Sequence, residues 1–190
     1  MKEETIKIER YLDSFGKYVV KQSRTNLTKA KKNVNKKLYD SIKFKVLTTK
    51  LGFTVAFYME SYGTFVDKGV SGNKKKQSYK DYRGKVVKSP YSYKSKGPPI
   101  DILSKWIKKR GLKGRVDKKW KSAGNRGGQY ISTKSFAYII SNSIKIKGIK
   151  SLSFFQRPLQ LGLKKFSKEL LQNVKEDVMN NLSKNLTQVN

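Results

Sequence analysis

Neither cysteine nor histidine occurs in the chain. That double absence excludes thiol nucleophiles, imidazole general bases, Ser-His-Asp triads and the usual zinc and haem ligands. Carboxylates are scarce as well, thirteen Asp and Glu against forty-four Lys and Arg. Glu60, Asp67, Asp81, Asp101 and Asp117 are scattered singly and form no recognisable metal pair, which argues against a nuclease. No apolar run approaches the roughly 18 residues that a membrane span needs. Over 1–13, Glu3, Glu4 and Glu9 alternate with Lys2, Lys7 and Arg10, unlike the charged-then-apolar order of a signal peptide. The expectation is a chain made in the cytoplasm that is not an enzyme, needs no cofactor and no metal, and contacts no membrane.

What is present is charge and aromatic bulk. The formal net charge of +31 attracts polyanions and speeds their encounter at low salt. The hydrophobic fraction, 36%, lies below the globular norm of about 45–50%, but nine Phe, eleven Tyr and two Trp supply core material that disordered chains lack. A length of 190 residues suits one domain with its own core. The expected fold is α+β: a small antiparallel sheet packed against N-terminal helices and a long C-terminal helix, with long basic loops. Its parts are a helical segment 1–42, a β-hairpin region 43–69, a basic excursion 70–99, helices with a basic glycine-rich loop 100–148, and a final helix within 149–190.

Over 5–20, Ile8, Tyr11, Leu12, Phe15 and Val19 recur at helical spacing, and Leu27, Ala30, Val34, Leu38 and Ile42 continue it. This predicts one bent helix or two consecutive ones, the second capped by Ser23 or Thr25. Lys29, Lys31, Lys32, Lys36 and Lys37 on its outer face read either as solvated lysines or as a phosphate-facing stripe. The period then drops to two. Phe44 and Val46, then Phe53, Val55, Phe57 and Met59, alternate with other residues, which predicts a hairpin turning through 49–52 with Gly52 suited to positive φ. Tyr62 to Gly69 reads as the end of a strand, with Phe65 and Val66 in the core.

From Lys68 to Gly97 ten cations face the single carboxylate of Asp81, and the segment shows no periodicity. It reads as a long excursion without fixed secondary structure. Ile102, Leu103, Trp106 and Ile107 predict a short helix opened by Asp101 and closed by Gly111, with Trp106 read as core ahead of a base-stacking platform. After a basic glycine-rich stretch containing Trp120, Ser132 or Thr133 caps a helix built on Phe136, Ile139, Ile140 and Ile144 and ending at Gly148. The clearest helix starts near Arg157-Pro158 and runs through Leu159, Leu163, Phe166, Leu170, Val174, Val178 and Leu182.

Three pieces in order carry a resemblance: Tyr62-Gly63-Thr64-Phe65-Val66-Asp67-Lys68-Gly69; then Phe136 leading to Lys147-Gly148-Ile149; then Phe154-Phe155-Gln156-Arg157-Pro158. Together they resemble the tail-completion and head–tail connector (neck) proteins of tailed bacteriophages, a family similar to the small tail-component and minor tail protein Z families. The family pattern is a Y-x-x-(F/Y)-V-E-x-G-T strand, a helix ending K-K-G-I, and F-(L/F)-x-P opening the last helix. Here Asp67 replaces Glu, Lys68 replaces an aromatic, no Thr follows Gly69, and the loop from 70 to 97 is long. The position within the neck and the tail length are left open.

The resemblance implies a virion protein that assembles as a homo-oligomeric ring against portal, connector or tail-tube proteins. It implies structural roles for Tyr62, Gly63, Phe65, Val66, Asp67, Gly69, Phe136, Gly148, Phe155 and Pro158. Binding residues are expected among the exposed cations: Lys74, Lys75, Lys76, Lys80 and Arg83 in the excursion, Lys108, Lys109 and Arg110 at a helix end, and Arg115 and Arg126 in the glycine-rich loop. They would face packaged DNA or acidic neighbours. The alternative is a basic nucleic-acid-binding protein for DNA packaging or regulation, suggested by Tyr79, Tyr82, Tyr91 and Tyr93 interleaved with lysines, since tyrosines stack on bases.

Overall fold

The structure, a computed structural model, describes residues 2–32, 36–49, 52–116 and 127–187; at 2–7, 173, 174 and 176–187 only the backbone is described. The fold is mixed α+β. In chain order its elements are α1 (Lys2–Lys29), α2 (Lys37–Ser41), β1 (Lys43–Thr49), β2 (Gly52–Tyr58), α3 (Gly63–Lys68), β3 (Val70–Ser71), β4 (Ser78–Lys80), β5 (Val86–Lys88), α4 (Ile100–Lys109), α5 (Thr133–Lys147), β6 (Gly148–Ile149) and α6 (Gln156–Thr187). The strands pair as β1–β2, β3–β6 and β4–β5. The chain groups into two compact units, one of Met1–Gly63, Lys80–Lys85 and Ser153–Asn190, the other of Thr64–Tyr79 and Val86–Leu152.

In the first unit, α1 is a single helix that runs straight through Ser23 and Thr25, so neither caps a second one. Inside a helix a threonine hydroxyl bonds back to the preceding turn, as Thr25 Oγ1 does to the Lys21 carbonyl at 2.9 Å. The second helical piece shrinks to α2; Val34 lies outside the described residues. The expected hairpin forms, with Phe44 opposite Phe57 and Val46 opposite Val55, and Gly52 has φ 132°. Its turn residues Lys50 and Leu51 lie outside the described residues.

Helix α6 packs on α1 through Gly162 and Phe166, four apart on one face that also carries the buried Pro158. A Cβ on Gly162 would stand 2.9 Å from the Phe15 ring, so glycine lets the helices close. Phe166 then sits edge-on to Tyr11 and Phe15, with ring centroids 5.4 and 5.6 Å away. The stripe is rotated from the one expected: Leu163 is 40% exposed, because the backbone approach at Gly162 takes the inward direction. The side chains of Val174, Val178 and Leu182 lie outside the description. The core gathers Phe15, Val19, Leu27, Leu38, Ile42, Phe154 and Phe155.

Two tests arise here. The Ser23 hydroxyl is fully buried and has no hydrogen-bond partner among the described residues. An unpartnered buried hydroxyl costs stability, and alanine is the better helix former. Ser23→Ala should therefore raise the unfolding free energy by about 1 kcal/mol in urea titration; a loss of that size would reveal a partner for the hydroxyl. The Tyr11 hydroxyl donates to the Phe166 carbonyl and lies 3.2 Å from a Glu169 carboxylate oxygen. Burial first, and the Glu169 charge second, push this phenol up to about 12 from 10. The folded state holds the proton more tightly, so this stabilisation is complete below pH 10 and is lost as pH rises through 12. Tyr11→Phe should flatten the fall in stability over that window; parallel profiles for the two proteins would contradict the assignment.

The piece from Tyr62 to Gly69, which enters the second unit at Thr64, is not a strand. It forms α3, and Phe65 is 43% exposed, its ring edge-on to Tyr91 at 4.5 Å. The carbonyls at the end of this helix are satisfied by a distant loop: Leu152 N–H donates to Val66 O at 3.1 Å, and the Ser151 hydroxyl to Asp67 O at 2.6 Å. Those bonds outweigh the strand preference of Phe and Val. Asp67 itself is 2% exposed.

The basic excursion has fixed structure too, contrary to the expectation. Ser71 in β3 donates to Tyr91 O and accepts from Tyr93 N–H, both at 2.8 Å, so the chain returns beside β3. β4 and β5 form a ribbon between. Helix α4 ends as expected, with Gly111 at φ 65°, its N–H donating to Lys108 O and that of Leu112 to Ile107 O, which closes a Schellman motif. Ile107 is the buried residue of α4; Trp106, expected in the core, is 38% exposed. Ser132 caps α5 by accepting from Ser135 N–H at 3.1 Å.

Candidate functional site

Lys74, Lys75 and Lys76 are exposed, and backbone bonds bind their loop to the last turn of α5. Asn73 N–H donates to Lys145 O at 2.9 Å, while the N–H groups of Lys74 and Lys75 share Ile146 O at 3.2 Å. Gln77 Nε2 reaches Lys147 O at 2.8 Å. The loop thus supplies donors to carbonyls that a helix end leaves open. It also gathers Lys74, Lys75, Lys76, Lys145 and Lys147 at the negative pole of the α5 dipole, where cations are favoured. Sequence reasoning missed Lys145 and Lys147 as members of this group. Their place before Gly148 marked only the helix end.

Lys80 and Arg83 are exposed and belong to the first unit, whereas the lysine cluster belongs to the second. The turn that carries Arg83 is built on Asp81, whose Oδ1 accepts from the N–H groups of Arg83 and Lys85, each at 2.9 Å. Gly84 completes it at φ 86°. The Arg83 guanidinium lies 5.2 Å above the Tyr82 ring, and its Nε donates to that hydroxyl. Asp81 therefore shapes the turn and is engaged there.

Lys108, Lys109 and Arg110 end α4 on exposed positions. Farther on, 114–116 and 128–131 run antiparallel: Val116 N–H donates to Gln129 O, Gly128 N–H to Val116 O and Ile131 N–H to Gly114 O. Across this pair Arg115 lies 4.2 Å over the Tyr130 ring and donates to its hydroxyl, and the Lys113 ammonium is 5.6 Å from the same ring. A cavity of about 250 Å³ beside them is lined by Leu112, Gly114, Ile131 and Phe136. Arg126, Asp117 and Trp120 lie outside the described residues.

Several of the positions that carry the resemblance lie at close backbone or side-chain approaches. Gly69 and Gly148, at φ 73° and 76°, allow the β3–β6 backbones to meet. Gly63 sits where a Cβ would be 2.8 Å from Leu38, and Phe136 covers Gly114. Phe155 packs edge-on to Phe57 at 5.3 Å, and Pro158 is fully buried. Tyr62 is half-buried, its phenol pushed up by burial and then by Glu60. Among the described residues no group of three His, Cys, Asp or Glu side chains is placed to hold a metal, and no helix is long and apolar enough to cross a membrane. The arrangement presents fixed-backbone cations beside tyrosine faces, and it can bind anions. No family model, no curated protein and no solved structure matches the chain.

Proposed function

We propose that the chain is a non-catalytic structural protein of a tailed-phage virion, assembled in the host cytoplasm into a homo-oligomeric ring at the neck. There it completes the tail or joins it to the head. The observation that carries this reading is the unanswered charge, displayed on anchored segments. Forty-four cations meet thirteen carboxylates, so at least thirty-one have no one-to-one partner within the chain. Lys74, Lys75, Lys76, Lys80, Lys108 and Lys109 with Arg83 stand exposed on a loop, a strand end, a turn and a helix end whose backbones are hydrogen-bonded in place. Cationic segments of this kind, present in each unit, fit packaged DNA or the acidic faces of portal, connector or tail-tube proteins. The order of the three motif pieces adds the phage context.

The Arg115–Lys113–Tyr130 cluster favours a second reading, a basic nucleic-acid-binding protein for packaging or regulation, since a cation-flanked aromatic suits base stacking. Native mass spectrometry and negative-stain microscopy of the purified chain, alongside duplex binding, separate the two. Closed rings of one size that bind mixed-sequence duplex without preference are the expected result. A monomer at every concentration that selects one DNA sequence overturns the neck reading.

A further inference from the structure

A groove of about 750 Å³ lies in the first unit, lined by α1, by α2 and by the start of β1. Its rim carries Lys17, Lys21, Arg24 and Lys29, and its floor is formed by Tyr39, Phe44 and Val20. Among the described residues no carboxylate lines it. Lys17 has an exposed partner outside the groove, Asp13 at 2.6 Å, in a pairing of the weak, readily exchanged kind. At 1.5 Å per residue the cations recur at about 4–8 Å intervals along the helix.

Arg24 is held in place. Its Nε donates to Tyr39 O at 3.1 Å, its Nη2 to Ile42 O at 3.0 Å, and its plane lies 5.2 Å from the Tyr39 ring centroid. Among the described residues two of five guanidinium N–H groups are used, on a fork whose orientation is already set. Those two bonds also close the end of α2, which is reason enough for an arginine. They leave unexplained why Lys17, Lys21 and Lys29 line the same groove as Arg24 together with Tyr39 and Phe44.

We propose that this groove binds single-stranded nucleic acid, the phosphates following the cations of α1 and unpaired bases meeting Tyr39 and Phe44. Cationic grooves with aromatic walls suit single strands, because an unpaired base has a face to offer and a duplex keeps its bases stacked inside. An acidic peptide would satisfy the cations and make no use of the aromatic floor. The site shares no residue with the basic segments that support the neck reading, so either can fail alone.

The test uses the full chain and a labelled oligothymidine. Lys17, Lys21 and Lys29 are exposed, and changing all three to Ser spares the bonds of Arg24. Removing three phosphate contacts should flatten the log–log salt slope for the single strand by about 2, at about 0.7 per contact, and lower affinity at least about tenfold. Duplex binding should change little. Oligothymidine carrying 5-iodouracil should photocrosslink to Tyr39 or Phe44. Crosslinks confined to other residues, an unchanged single-strand slope, or a polyglutamate peptide that competes as well as oligothymidine would each overturn the proposal.

Discussion

Gly148→Ala should destabilise the second unit by more than about 3 kcal/mol, read as a lost or shifted unfolding transition in urea. At φ 76° and ψ −170° this residue occupies a region essentially closed to L side chains, where strain alone costs about 1–3 kcal/mol. Space is closed as well: a Cβ would fall 2.2 Å from Val70 O and 2.5 Å from Gly72 N. Both are backbone atoms of the β3 segment, so no side-chain rotation relieves the overlap. The β3–β6 pairing, Val70 with Ile149 and Ser71 with Gly148, must open. Gly111→Ala supplies the control. Its φ is 65°, but nothing lies within 4 Å of the added Cβ, so only the conformational cost of about 1 kcal/mol applies. Equal losses at the two glycines would show that close approach plays no part.

Changing Lys74, Lys75, Lys76, Lys80 and Arg83 together to Ser should flatten the salt dependence of duplex binding by as much as about 4.5 log–log units, at about 0.9 per phosphate contact. Folding should survive, because the 74–76 loop is held by backbone N–H groups and the 81–85 turn by Asp81. The first three lysines and the last two cations belong to different units, so the effect should divide. The triple variant should account for about 2.7 units and the double for about 1.8. If these residues dock on acidic protein instead, assembly with portal or tail proteins will fail while duplex affinity barely moves. Phosphate contacts carry no base information, so a marked preference for one DNA sequence would contradict both versions.

The candidate surfaces were only partly legible beforehand. The cations were visible, but their grouping was not. Lys145 and Lys147 join Lys74, Lys75 and Lys76 because Gln77 and Asn73 bond to the end of α5, contacts about seventy residues apart in the chain. Lys17 drew no notice because the first twenty residues balance in charge, and Lys21 and Arg24 stand singly just after them. What sets them apart is the placement of Tyr39 and Phe44 beside α1.

By itself the sequence determined the elements whose signals are local: the β1–β2 hairpin from its period of two, the Schellman end of α4 from Gly111, the start of α5 from Ser132, and the start of α6 near Pro158. Each rests on geometry within a few residues, where propensity and hydrogen-bond reach decide. Only the tertiary structure decided that α3 is a helix, since its last carbonyls are satisfied by Ser151 and Leu152, some eighty-four residues away at Asp67. It alone decided that Phe65, Trp106 and Leu163 face outward, because a periodic pattern names a stripe and packing chooses which edge of it is covered. The long-range backbone bonds that order the basic excursion, from Ser71 to Tyr91 and from Asn73 to Lys145, likewise leave no local mark in the residues they join.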